Sequence, residues 1–90
     1  MSVEVNISSI FAHYVNNQQI AQVKGKTIGE CLYHLFNMFP GLKEVLVDQK
    51  GKLHGYINVY VNEESAYPEE LAKPVKDGDK LHIAMLLEGG

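Results

Sequence analysis

The sequence predicts a small two-layer α+β domain, and three observations carry that expectation. One helical stripe stands out, with Ile28, Cys31, Leu32, Leu35, Phe36 and Phe39 recurring at three- and four-residue spacing. Short stretches of alternating apolar and polar residues lie before and after it. At 90 residues the chain has room for one core, four or five strands and one main helix. A single helix covers only one face of a sheet, so the other face stays open.

In chain order, Val3, Val5 and Ile7 alternate with Glu4, Asn6 and Ser8, the period of a half-buried strand. Ile10 to Val15 shows no clear period, and Asn16-Asn17 is turn chemistry. Gln18 to Val23 reads as a second strand returning as a hairpin partner, with Ile20 and Val23 as its apolar positions and the alternation slipping by one residue. Thr27 and Glu30 are spaced as a capping box at the start of the helix. Tyr33, His34 and Asn37 fall on the side away from the stripe, and Pro40-Gly41 end the helix. Leu42 to Val47 suggests a short helical turn, and Gln49-Lys50-Gly51-Lys52 a polar turn. Tyr56 to Asn62 is a strongly alternating strand with Ile57, Val59 and Val61 toward the helix. Glu63 to Lys76 reads as a polar connection with Leu71 and Val75 tucked inward, followed by a turn at Lys76-Asp77-Gly78-Asp79. In the final strand, Lys80 to Leu86, Leu81, Ile83 and Met85 share one face and His82, Ala84 and Leu86 the other. The open face then carries Tyr56, Tyr60, His82, Ala84 and Leu86, too apolar and aromatic a set to be only solvated surface. These five are the candidate partner-docking residues.

Composition narrows the function. Eight basic against eleven acidic residues, with no basic cluster, argue against nucleic acid, whose phosphates require clustered positive charge. One cysteine forms no internal disulfide and is too few for a four-cysteine iron–sulfur site. On the apolar stripe Cys31 reads as a small core residue rather than a persulfide carrier. The four histidines show no ligand spacing, so no metal site is expected; His82 alone stands on the open face. Gly25-Lys26-Thr27 mimics the end of a phosphate-binding loop, but Ile20 stands where the first glycine is required. Glu44, Asp48, Glu63 and Glu64 form no acid–base pair and read as solvated surface. No signal peptide is recognisable, and the longest apolar run, Ile83 to Leu87, is too short for a bilayer. A cytoplasmic protein without membrane contact is expected.

The stretch Leu86-Leu87-Glu88-Gly89-Gly90 gives this architecture its purpose. Residues 1–86 form the domain and 87–90 a thin flexible tail. Phe39-Pro40-Gly41-Leu42, Ile57-Asn58-Val59-Tyr60-Val61-Asn62, Lys76-Asp77-Gly78-Asp79 and Gly89-Gly90, in that order, resemble the sulfur carriers of the ubiquitin-like β-grasp fold. Those carriers include the small subunit of molybdopterin synthase, the thiamin-pathway carrier and the carrier serving a cysteine synthase. The Asn-Val-Tyr-Val-Asn strand after Gly51-Lys52-Leu53 is most similar to the cysteine-pathway branch.

The resemblance implies a mixed four- to five-stranded sheet with one main helix on one face. It also implies a chain that is a protein-sized substrate with no catalytic residue of its own. A ubiquitin-activating-type adenylating and sulfurtransferase enzyme, using ATP and magnesium, would activate the Gly90 carboxylate, and sulfur would convert it to a thiocarboxylate. A sulfur-accepting synthase of pyridoxal-phosphate or molybdopterin type would take that sulfur, with a zinc peptidase as a further partner in the amino-acid branch. Gly89, Glu88 and Leu87 would thread the channel. Extended, Leu87 to Gly90 spans at most about 13–14 Å, and glycine lets backbone and nucleotide approach closely. The alternative is a ubiquitin-like modifier or binding module acting through the same tail and open face.

Overall fold

The computed structural model describes residues 2–86. Its strands are β1 (Val3–Ile7), β2 (Ile20–Val23), β3 (Ile57–Val61), β4 (Glu64–Ser65) and β5 (Lys80–Met85), and its α-helices are α1 (Ile28–Met38) and α2 (Gly41–Leu46). They form one sheet in the order β2-β1-β5-β3-β4, in which β1 and β5 run parallel and the other neighbours antiparallel. The last strand in the chain is therefore the middle strand of the sheet. Val3, Val5, Ile7, Val59, Leu81 and Ile83 on its inner face pack against Ile28, Leu32, Leu35, Leu42 and Leu46 of the helices, all buried. Met85 and Leu71 pack partly against the same core and Val75 is buried, as their spacing predicts.

The start of α1 shows how local chemistry fixes that layer. Thr27 has extended backbone angles, and its hydroxyl oxygen accepts the Glu30 N–H at 3.1 Å. Glu30 reaches back, but its carboxylate accepts the Lys26 N–H at 2.8 Å, one residue earlier than a capping box requires. The Ile28 N–H is satisfied instead by the Lys73 carbonyl at 3.0 Å. Gly25 makes this possible: a β-carbon there would stand 2.7 Å from the Cys31 nitrogen. Thr27→Ala is expected to lower stability by about 1 kcal/mol, read as a shifted urea midpoint with an unchanged slope.

Four local expectations are corrected. Ile10 to Val15 belongs to a 3-10 helix, Ser9–Val15, which closes one end of the core with Phe11 and Val15. Ile20 is 57% exposed while Ala21 and Val23 are buried, because pairing of Ile20 with Asn6 puts it on the open face. His34 does not simply face water; its Nδ1 accepts the Lys24 N–H at 2.9 Å and so terminates β2. The connection after β3 contains β4, the 3-10 helix Glu70–Ala72 and the buried Ala66. Asn16 and Asn17 both adopt left-handed angles, in keeping with their turn chemistry.

Two of the sequence motifs meet in one hydrogen-bonded knot at the start of β5. Asn62 and Glu63, at φ 49° and 74°, make the tight turn from β3 to β4. The Asn62 amide donates to Asp79 Oδ1 at 3.0 Å and accepts the Lys80 N–H at 3.0 Å. Asp79 Oδ2 accepts the Lys76 N–H at 2.9 Å, and its carbonyl accepts the Glu4 N–H at 3.1 Å. These bonds, that from Asn62 foremost, hold the Asp79 carboxyl below the usual carboxylate range. Its folded pKa lies below its unfolded one, so its stabilisation is complete above the unfolded value and disappears as pH falls through the folded one. Asp79→Asn is expected to cost about 1–3 kcal/mol at neutral pH. It should also flatten the loss of stability below about pH 4, measured by urea melts across pH.

Candidate functional site

Because β5 is central, its outward side chains sit in the middle of the open face with neighbours on both sides. Register places Ile20, Asn6, His82 and Tyr60 in one row across β2, β1, β5 and β3. The Tyr60 and His82 rings lie 6.3 Å apart, tilted by 42°. One step toward the end of β5, Ala84 pairs with Asn58, whose amide donates to the Tyr60 hydroxyl at 3.2 Å. One further step along, the Leu86 N–H donates to the Tyr56 carbonyl at 2.8 Å. Tyr56 is 42% and Leu86 55% exposed. Tyr56 and Leu86 lie just beyond the ends of β3 and β5, which are each shorter than the alternation predicts.

All five candidate docking residues are thus on or at the margin of one face, together with Asn58, which the alternation of Tyr56 to Asn62 also puts there, and with Ile20 and Asn6, which were not expected there. The signal for Ile20 was the slipped alternation of β2. Between Ile20 and Tyr60 the face dips into a shallow depression bordered by Glu63 and Lys80. The face mixes aromatic (Tyr60, His82), amide (Asn6, Asn58) and small apolar (Ala84) side chains toward its middle, with Ile20 on the edge strand and Tyr56 and Leu86 at the margin. His54, which stacks on Tyr56 with ring centroids 5.0 Å apart and planes 8° apart, also went unnoticed. Leu87, Glu88, Gly89 and Gly90, and hence the expected division at 86/87, lie outside the described residues.

The rest of the described chain offers little reactive chemistry. Burial, with smaller effects of Glu30 and Asp79, pushes the Cys31 thiol up to about 11, so it is un-ionised at neutral pH. Thiolate is the nucleophilic form, which makes Cys31 a core residue. Among the described residues no group of three or more His, Cys, Asp or Glu side chains is placed to hold a metal ion. Among them, too, no helix is long and apolar enough to cross a membrane.

A mixed sheet gripping one long helix, with its central strand running out toward a diglycine, defines a ubiquitin-like β-grasp protein of the carrier type. Residues 10–90 match the model of the ThiS family, and the chain belongs to that family. It is 33% identical to the sulfur carrier protein CysO of Mycobacterium tuberculosis, with all of both chains covered. Among solved structures it is similar to CysO in the BexX/CysO complex of Amycolatopsis orientalis. That match has 35% identity, a TM-score of 0.85 and coverage of 98% of this chain and 99% of the other. It is also similar to SAMP1 of Haloferax volcanii, at 26% identity and a TM-score of 0.85 with both chains fully covered.

Proposed function

We propose that this chain is a sulfur carrier whose reacting group is the carboxylate of Gly90. The observation that carries the reading is that the family match and the likeness to CysO both run through Gly89-Gly90, on a fold whose central strand leads there. A carboxylate is a poor electrophile. Attack of its oxygen on the α-phosphorus of ATP, with magnesium in the activating enzyme, makes an acyl-adenylate and releases pyrophosphate. Sulfide then displaces AMP and leaves a thiocarboxylate. The chain contributes no acid, base or metal to these steps and is not itself an enzyme. Its part is to dock through Tyr56, Tyr60, His82, Ala84 and Leu86 and to extend Leu87, Glu88 and Gly89 into a narrow channel.

CysO of Amycolatopsis orientalis is solved in complex with BexX, which supports a protein partner for this chain. We assign the acceptor to a sulfur-incorporating synthase in the cytoplasm, on the amino-acid branch to which the likeness to CysO points. A second reading has one observation in its favour: SAMP1 is a small archaeal modifier protein. As a modifier, the same adenylate would be captured by a lysine amine.

Incubation with an adenylating enzyme, ATP, magnesium and sulfide separates the two. A carrier gains the mass of one oxygen-to-sulfur exchange. A modifier appears as higher-mass adducts that resist sulfide, and an unchanged mass contradicts both.

A further inference from the structure

We infer that His54 is a positioning residue for the root of the tail, held by the end of α2 and acting through the ring and main chain of Tyr56. The inference rests on the carrier reading and deepens it. The Leu86 N–H to Tyr56 carbonyl bond, 2.8 Å long, is the final main-chain contact of the described chain before the diglycine segment. Tyr56 precedes β3 and belongs to a tight turn closed by the Ile57 N–H on the His54 carbonyl at 3.0 Å. That turn has little packing of its own. Tyr56 is 42% exposed, and a β-carbon placed on Gly55 would meet nothing within 4 Å.

What braces Tyr56 is the half-buried His54 imidazole, stacked nearly parallel to its ring at 5.0 Å. His54 is fixed in turn. Its N–H donates to the Leu46 carbonyl at 3.0 Å, and its Nε2 lies 3.2 Å from the Glu44 carbonyl, which selects the form with the proton on Nε2. The loop before it is braced by the Asp48 carboxylate, which accepts the Lys50 and Lys52 N–H groups at 2.8 and 3.0 Å. A continuous path of contacts therefore runs from α2 through His54 and Tyr56 to Leu86.

Direction at the root matters because the reacting carboxylate stands four residues beyond Leu86 in the sequence. That stretch reaches at most about 13–14 Å, so a wider spread of directions at Leu86 enlarges the volume over which the carboxylate is spread. Attack on a phosphorus or an acyl carbon requires the reacting atoms at about 3–3.5 Å. A loose root lowers the fraction of docked complexes whose carboxylate is in place. The signature is a fall in kcat; KM is free to move with it, because Tyr56 and Leu86 also belong to the docking set.

The test compares wild type, His54→Ala and His54→Phe, which keeps a planar ring for stacking. The first readout needs no enzyme: exchange of the Leu86 amide by NMR, with amides inside β5 as the internal control. The second is thiocarboxylate formation with the adenylating enzyme, ATP, magnesium and sulfide at varied carrier concentration. His54→Ala is expected to speed Leu86 exchange and to lower kcat, each by about 3- to 10-fold, with the β5 amides unchanged. His54→Phe restores both. An unchanged kcat in His54→Ala, a rise in KM alone, or a His54→Phe that behaves like His54→Ala overturns the inference. Should the alanine variant unfold, His54→Leu replaces it, filling the volume without a flat ring. If wild type takes up no sulfur the carrier reading fails. Leu86 exchange then decides alone, and equal exchange in wild type and variant overturns the coupling.

Discussion

Deleting Gly89 and Gly90 is expected to abolish sulfur uptake while leaving the melting temperature of the domain unchanged. In the carrier reading the reacting carboxylate belongs to Gly90, and among the described residues the last that packs on the core is Met85. A milder variant makes the physical point. Gly89→Val keeps a terminal carboxylate but adds a branched side chain and narrows the allowed backbone angles. Misplacement of the carboxylate by about 1 Å is expected to cost about 100-fold in the rate of adenylation. Intact-mass kinetics and a thermal melt on the same samples check this. Full activity in the deletion variant contradicts every reading in which the tail does chemistry.

The second large effect is on stability. Phe11→Ala is expected to cost about 3–5 kcal/mol, a large part of the roughly 5–15 kcal/mol a domain commands. Phe11 is 1% exposed and belongs to one buried cluster with Val15, Ile7 and Leu42. Its 3-10 helix has no sheet or α-helix to extend it, so a cavity there is poorly relieved. The melting temperature should fall by at least about 12 °C. Ile10→Ala in the same helix, at a position 48% exposed, should stay within about 0.5 kcal/mol. Equal effects of the two would contradict the assignment of Phe11 as the plug of this end of the core.

Phe11 also marks where reading the sequence stopped. The stripe from Ile28 to Phe39 was legible because six apolar residues repeat at helical spacing behind a Thr27 cap. β3 and β5 were legible because alternation assigns every side chain to a face; that Tyr60 stands beside His82 and Asn58 beside Ala84 is added by the register. The 3-10 helix was not legible. Phe11 and Val15 point inward while Ile10 and Tyr14 are 48% and 43% exposed, so two apolar pairs at the same four-residue spacing lie side by side and the sequence does not say which of them is buried. Ile20 misled because an apolar residue on an open face looks like a core residue until its partner, Asn6, is known.

At the site, the open face followed from local pattern alone. The clamp on its margin did not. His54 reaches Tyr56 across a tight turn and Glu44 across the end of α2, contacts that no spacing along the chain encodes. The same holds for the knot of Asn62, Lys76 and Asp79. Two motifs that look like independent turn signals are one structure, which fixes where β5 starts. The Tyr56–Leu86 bond lies just beyond where it ends.

The central claim is that this scaffold presents the Gly90 carboxylate for sulfur exchange, and tandem mass spectrometry of the protein isolated from its own cells tests it most directly. The account predicts a population whose C-terminal fragment ends at Gly90 and carries sulfur in place of one carboxylate oxygen, lost when the adenylating enzyme is deleted. A fragment that continues past Gly90 throughout, or one that ends there with two oxygens whether or not the enzyme is present, contradicts it.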